Sequence, residues 1–176
     1  SNEFTLSNGY YKYVGTKTSL VVPSSIRGST VTSMYEMFKG NSNVRQVVFL
    51  QNTVTDMRFM FEGSTSTSLD LHLNTSNVTN MYGMFKNSSA LSLDISKFDV
   101  SKLETMSQMF YRAKATNIKL SSMKASKVTW VKEMFQGVLV EELDLTSLHL
   151  EGMTADSTKD ILFSAKNIKT VYVASQ

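Results

Sequence analysis

Cysteine is absent from all 176 residues, which excludes a disulfide framework, a thiolate metal site and a thiol nucleophile. Histidine is nearly as scarce. His72 and His149 are the only two, each in a Leu-His-Leu stretch with no acid or nucleophile at a shared spacing, so neither catalysis nor metal binding is expected of them. One proline and eight glycines argue against a collagen-like or low-complexity chain, and no apolar run approaches the roughly 18 residues that a membrane span needs. The net charge of +3 is too small to point to nucleic acid. What is present, 41% hydrophobic and 10% aromatic residues, is enough for a real core. A domain of this size buries roughly 70% of its unfolded surface. The chain opens on Ser1-Asn2 without a signal peptide, as a trimmed piece of a longer protein would.

One phrase recurs along the chain. It reads Val31-Thr32-Ser33-Met34-Tyr35-Glu36-Met37-Phe38, then Val54-Thr55-Asp56-Met57-Arg58-Phe59-Met60-Phe61, then Val78-Thr79-Asn80-Met81-Tyr82-Gly83-Met84-Phe85. Copies follow from Leu103 to Phe110 and from Val128 to Phe135, and a degenerate sixth runs from Met153 to Phe163. Successive starts at 31, 54, 78, 103, 128 and 153 lie 23, 24, 25, 25 and 25 residues apart, the period of a solenoid.

The two Met and the Phe of each phrase fall at i, i+3 and i+4, which predicts one face of a short helix, with the preceding Thr as its N-cap. Eight residues beyond the Phe in most copies comes a period-two alternation, as in Leu69-Asp70-Leu71, Leu93-Asp94-Ile95, Ile118-Lys119-Leu120, Leu143-Asp144-Leu145 and Val171-Tyr172-Val173, the signature of a strand, and the first unit is shifted, with Val47-Val48-Phe49 in the equivalent place. The expected fold class is therefore α/β: a leucine-rich-repeat-like solenoid with one short parallel strand and one short helix per repeat. Residues 31–176 supply five clear repeats and the degenerate sixth. Ten of the eleven Met occupy repeat positions, and because they share a face with the Phe they read as core rather than as copper ligands. Residues 1–30 do not fit the repeat. Asn8-Gly9 between Phe4-Thr5-Leu6-Ser7 and Tyr10-Tyr11-Lys12-Tyr13 predicts a hairpin, so this stretch is expected to be an N-terminal β cap. No cap follows Val171-Tyr172-Val173, and the last strand edge is expected either to continue into further protein or to be shielded in another way.

The V-T-x-M-x-x-M-F phrase followed by L-D-L, together with the linking stretches 74–81 and 98–102, resembles the repeat of the BspA-type leucine-rich-repeat bacterial surface proteins over about residues 31–173. That resemblance implies a secreted or wall-anchored bacterial surface protein acting in adhesion or ligand binding. The family often carries Cys three residues after the Phe; here Asn41, Ser64, Ser88, Ala113 and Val138 stand there, which removes any thiol role. The family motif defines scaffold, so the resemblance assigns no contact residues.

The side chains that alternate with the strand Leu positions point away from the core and form the natural ligand face of a solenoid. Asp70, His72, Asp94, Asn117, Lys119, Glu142, Asp144 and Tyr172 are the candidate ligand-binding residues on this ladder. Asp70 and Asp94 are expected to be neighbours on adjacent strands, though too few carboxylates gather there for calcium. Charge offers a competing site. Residues 86–132 hold nine basic and three acidic side chains, and Lys114, Lys124 and Lys127 present a surface for an anionic polymer. No cofactor, metal or catalytic residue is expected. The leading expectation is a non-enzymatic extracellular module of a bacterial cell-surface protein that recognises a host or neighbouring-cell protein or glycan, without inserting in the membrane and anchored, if at all, through regions outside this chain. The alternative is a structural spacer with no ligand of its own.

Overall fold

In a computed structural model describing residues 2–120 and 125–175, the chain winds into a β-solenoid of about six turns, closed at its N-terminal end by a hairpin. Strands β1 (Phe4–Ser7) and β2 (Tyr10–Tyr13) pair antiparallel across Asn8 and Gly9, both at positive φ as a tight two-residue hairpin turn requires. A second small hairpin joins β4 (Ser25–Ile26) to β5 (Ser29–Thr30). Between the hairpins, β3 (Ser19–Val21) is already the first rung of the solenoid. It pairs in parallel with β6 (Gln46–Phe49), which pairs with β7 (Asp70–Leu73). β8 (Ser92–Asp94) pairs with β9 (Asn117–Lys119), and β10 (Glu142–Asp144) with β11 (Thr170–Tyr172), so the ladder is in three sections.

The expected helices do not form; among the described residues there is no helix, and the α/β assignment is corrected to an all-β solenoid. The reason lies in backbone conformation. Within each phrase the residue before the second Met has positive φ: Glu36, Phe59, Gly83, Gln108 and Glu133, with φ between 53° and 62°. Four residues on, Gly40, Gly63, Asn87, Arg112 and Gly137 repeat the left-handed conformation. A right-handed helix cannot pass through these points. The phrase becomes a run of tight bends instead, and its i, i+3, i+4 spacing still brings Met, Met and Phe to one side.

The amide accounting in the first phrase shows what the bends achieve. Met34, Glu36, Phe38 and Gly40 donate their N–H groups to Asp56, Arg58, Met60 and Glu62 of the next turn, while Met37, Lys39 and Asn41 donate three residues back within the phrase. Tyr35 donates to Oγ of Ser33. Every amide from 34 to 41 thus has a partner, as buried backbone requires. The same four cross-turn bonds recur at each later interface, 2.7–3.2 Å long, down to Phe135 onto Ile161 and Gly137 onto Phe163. Parallel bridges Ser33–Asp56–Asn80–Thr105–Trp130 run through these turns without interruption. The cap oxygen of the first four bends comes from this bridge residue and not from the residue before it, Asp56 and Asn80 for example each accepting the N–H two residues on at 2.9 Å.

The core is a set of axial columns. Phe38, Phe61, Phe85, Phe110 and Phe135 stack nearly parallel, 5–12° apart, with centroids separated by 5.2, 5.7, 5.8 and 5.5 Å. Tyr13 of the hairpin closes this column over Phe38, and Phe4 packs edge-on against Tyr13. The paired Met columns and the strand residues Leu20, Val47, Leu93, Ile118 and Leu143 fill the rest. Ser64, Ser88, Ala113 and Val138, three residues after each Phe, are buried there too. The sixth turn departs from the expected register. Asp160 and Ser164 take the two left-handed positions, so Ile161 stands where earlier turns have the second Met and Leu162 where they have the Phe, and Phe163 falls one residue beyond and is 60% exposed.

Two substitutions test this account. Phe85→Ala removes the central ring between two stacked neighbours and is expected to cost about 3–5 kcal/mol; a loss under about 1 kcal/mol in denaturant unfolding would count against the stacked column. Gly83→Ala distinguishes bend from helix by sign. In a helix it would stabilise by about 1 kcal/mol, whereas at φ 62° with the added Cβ 2.5 Å from the Phe59 ring it is expected to destabilise by at least about 1–2 kcal/mol.

Candidate functional site

The strand ladder presents its candidate residues outward, as the alternation requires. Asp70, His72, Asp94, Asn117, Lys119, Glu142 and Tyr172 are exposed and Asp144 is half-buried. In register, Asn117 stands opposite Ser92, Lys119 opposite Asp94, Glu142 opposite Thr170 and Tyr172 opposite Asp144. Asp70 and Asp94 do not share a paired rung, because the ladder breaks between β7 and β8. The polar side chains are largely committed to one another. Ser19 donates to Gln46, Gln46 to Asp70 at 2.8 Å, and His72 Nε2 lies 3.0 Å from the same carboxylate. Asp94 and Asp144 each accept the backbone N–H and hydroxyl of the residue two further on, Ser96 and Thr146, at 2.6–2.9 Å. These carboxylates terminate their strands in tight polar turns. Among the described residues no three His, Cys, Asp or Glu side chains converge to hold a metal ion. Of the competing lysines, Lys114 and Lys127 are exposed and Lys124 lies outside the described residues.

A different surface breaks the repeat. On the outer face of the bends, the residue after the first Met forms the column Tyr35, Arg58, Tyr82, Ser107, Lys132. Four of its five members are long and the fourth is small and buried, which leaves a gap one turn high. Beside it the bridge column reads Ser33, Asp56, Asn80, Thr105, Trp130. The first four cap their own bend through a side-chain oxygen, at 3.1, 2.9, 2.9 and 3.2 Å. Trp130 has no acceptor, so the Lys132 N–H lacks the partner that its four counterparts have. Trp130 is 43% exposed.

The two departures meet in an open notch of about 400 Å³ lined by Tyr82, Thr105, Ser107, Gln108, Trp130, Lys132 and Glu133. The left-handed bend places Gln108 and Glu133 in one axial column, where Gln108 donates from Nε2 to Glu133 and accepts from Lys86 Nζ at 2.9 Å. Lys86 lies over the Tyr111 ring, 5.0 Å from its centroid. Burial, and secondarily the Glu133 carboxylate, push the Tyr82 hydroxyl above its ordinary pKa, so it is a neutral donor at the notch. Aromatic side chains at both ends with fixed donors and acceptors between them are what a small polar ligand requires.

Toward the N-terminus the same face is filled. Tyr10, Tyr35, Phe59 and Tyr82 touch in series at 4.5, 6.1 and 5.3 Å, and Arg58 lies 5.0 Å from the Tyr35 centroid. A chain of ion pairs, Lys12–Glu36–Lys39–Glu62, runs beside them at 2.9–3.3 Å. Reading the period alone directs attention to the strand ladder and passes over the notch. The signal was nonetheless in the sequence, as the small residue in a column of large ones and the large residue in a column of small polar ones.

Residues 32–148 match the model of a family described as Mycoplasma protein of unknown function, DUF285. No curated protein and no solved structure matches the chain.

The turns closed by Asp94, Asp99 and Asp144 predict an acid dependence with a definite sign. The Ser101 hydroxyl and N–H hold the Asp99 carboxyl low, those of Thr146 do the same for Asp144, and for Asp94 burial is outweighed by Ser96 and Lys119. A folded pKa below the unfolded one gives stabilisation that is complete above about pH 4 and is lost as pH falls through the folded values. The melting-temperature gap between wild type and the triple variant Asp94→Ala, Asp99→Ala, Asp144→Ala is therefore expected to be widest near pH 6 and to close toward pH 2. A gap that does not change with pH would contradict this.

Proposed function

The chain belongs to this repeat family, DUF285, and from that premise we propose that it is a non-enzymatic binding module of a bacterial cell-surface or secreted protein, acting in adhesion. The observation that carries the reading is the notch at Ser107 and Trp130, the one place among the described residues where both outer columns of the bends depart from their pattern together. A chain that only spans distance has no need to interrupt its own repeat with its single tryptophan. The resemblance of the V-T-x-M-x-x-M-F phrase to the BspA-type surface repeats supports an extracellular setting, and with it a host or neighbouring-cell protein or glycan as partner. Anchoring would lie in regions outside this chain. No helix among the described residues is long and apolar enough to cross a membrane.

Ser107→Tyr tests the assignment. Tyrosine occupies the same column position in the first and third turns, so the variant should keep its melting temperature within a few degrees while filling the notch. Screened against immobilised extracellular-matrix proteins and glycans, wild type is expected to bind and Ser107→Tyr to lose that binding, with Asp94→Ala/Lys119→Ala on the strand ladder as the comparison. Binding lost only in the ladder variant would move the site there, binding that fades with salt and with Lys114→Ala/Lys127→Ala would indicate anion capture, and no binder at all would leave the spacer role.

A further inference from the structure

Trp130 lines a second groove on its other side. This one, about 370 Å³, is formed by residues of the fifth and sixth turns, among them Thr129, His149, Glu151, Met153 and Thr154. His149 Nδ1 lies 3.2 Å from Glu151 Oε1. Notch and groove are thus two concavities along the solenoid axis with one exposed tryptophan between them. A ligand confined to one sugar-sized unit would use only one of them.

We infer that the pair of grooves takes a neutral, linear oligosaccharide that straddles Trp130. This rests on the binding reading above and specifies its ligand. Three features decide the class. The notch carries charges that cancel, Lys132 against Glu133, with Glu133 engaged by Gln108, and the carboxylate of the second groove, Glu151, is engaged by His149, which favours a neutral ligand over an anionic or cationic one. Its polar groups include both donors and acceptors beside aromatic side chains, which suits the alternating hydroxyls and apolar ring faces of a sugar. The surrounding backbone is spent on the solenoid: Met106 and Gln108 donate to Trp130 and Lys132, and Thr105 bridges Trp130, so an extended peptide finds no free edge to extend. The Lys132 N–H, unlike its four counterparts, is left without a side-chain acceptor by Trp130. A sugar hydroxyl supplies that acceptor from outside.

Because Trp130 is the chain's single tryptophan, its emission reports the site directly. The intact protein would be titrated with the tetramers and monosaccharides of glucose (β-1,4 and α-1,4), N-acetylglucosamine, mannose and galactose, following fluorescence and, in parallel, calorimetry. The expected result is a saturable emission shift with at least one tetramer, bound at least about tenfold more tightly than its monosaccharide, a gap of about 1.4 kcal/mol. Ser107→Tyr should abolish binding of both lengths. His149→Ala should weaken the tetramer and leave the monosaccharide unchanged, and Trp130→Ala, read by calorimetry, should cost the tetramer at least about tenfold. The inference is overturned if no tetramer binds, if tetramer and monosaccharide bind equally, or if a bound tetramer is indifferent to Ser107→Tyr. A matrix protein that binds wild type and not Ser107→Tyr, where no oligosaccharide binds, leaves the binding reading standing and removes the glycan. Failure of both removes both.

Discussion

The structure depends on how the bend phrase divides its amide groups. Alternate N–H groups close tight turns within the phrase and the others reach across to the next turn, so the same backbone is folded locally and fastened axially. Neither set alone would suffice. Without the local bonds the phrase would be an extended strand that could not bring both Met and the Phe inward, and without the cross-turn bonds each bend would be an isolated turn of marginal stability. The strand ladder is the weaker partner, since it is divided into three sections where the bridges through the bends continue unbroken.

That fastening sets the spacing of everything inside it. Rings held one turn apart stack at 5.2–5.8 Å, and five phenylalanines in nearly parallel planes form a column that no single repeat could bury. The hairpin is the answer at one end, where Tyr13 and Phe4 complete the aromatic series. At the other end Leu162 takes the ring position, with Ile161 in place of the second Met, and both are only partly buried. Outside, the same spacing puts Tyr10, Tyr35, Phe59 and Tyr82 in contact and makes one missing side chain, at Ser107, into a notch.

The repeat, its period, the inward columns, the parallel strand of each unit and the Asn8-Gly9 turn were all legible in the sequence, because each is written in residue type and spacing. The helix was misread for a definite reason. An i, i+3, i+4 pattern reports which side chains share a side, and a chain of bends satisfies it as well as a helix does. Glycine at 40, 63, 83 and 137 marked left-handed backbone, but Glu36, Phe59, Gln108 and Glu133 adopt the same conformation without any residue-type signal. The ladder carboxylates were seen as exposed; that Asp94 and Asp144 close their own turns depends on backbone geometry at the strand exit. At the notch, the repeat itself directed attention to what recurs, whereas Ser107 and Trp130 are distinguished by failing to recur.

The axial direction of the cross-turn bonds has a mechanical consequence. The hairpin and β11 lie at opposite ends of the stack, so tension applied between the chain ends runs along the axis and pulls these bonds apart one interface at a time rather than shearing many at once. The least buried turn, with Phe163 outside, yields first. Each turn of about 25 residues then pays out roughly 80 Å of extended chain before the next interface bears load. A stack fastened this way is expected to lengthen in steps of one turn from its C-terminal end, with the turns nearer the hairpin still folded.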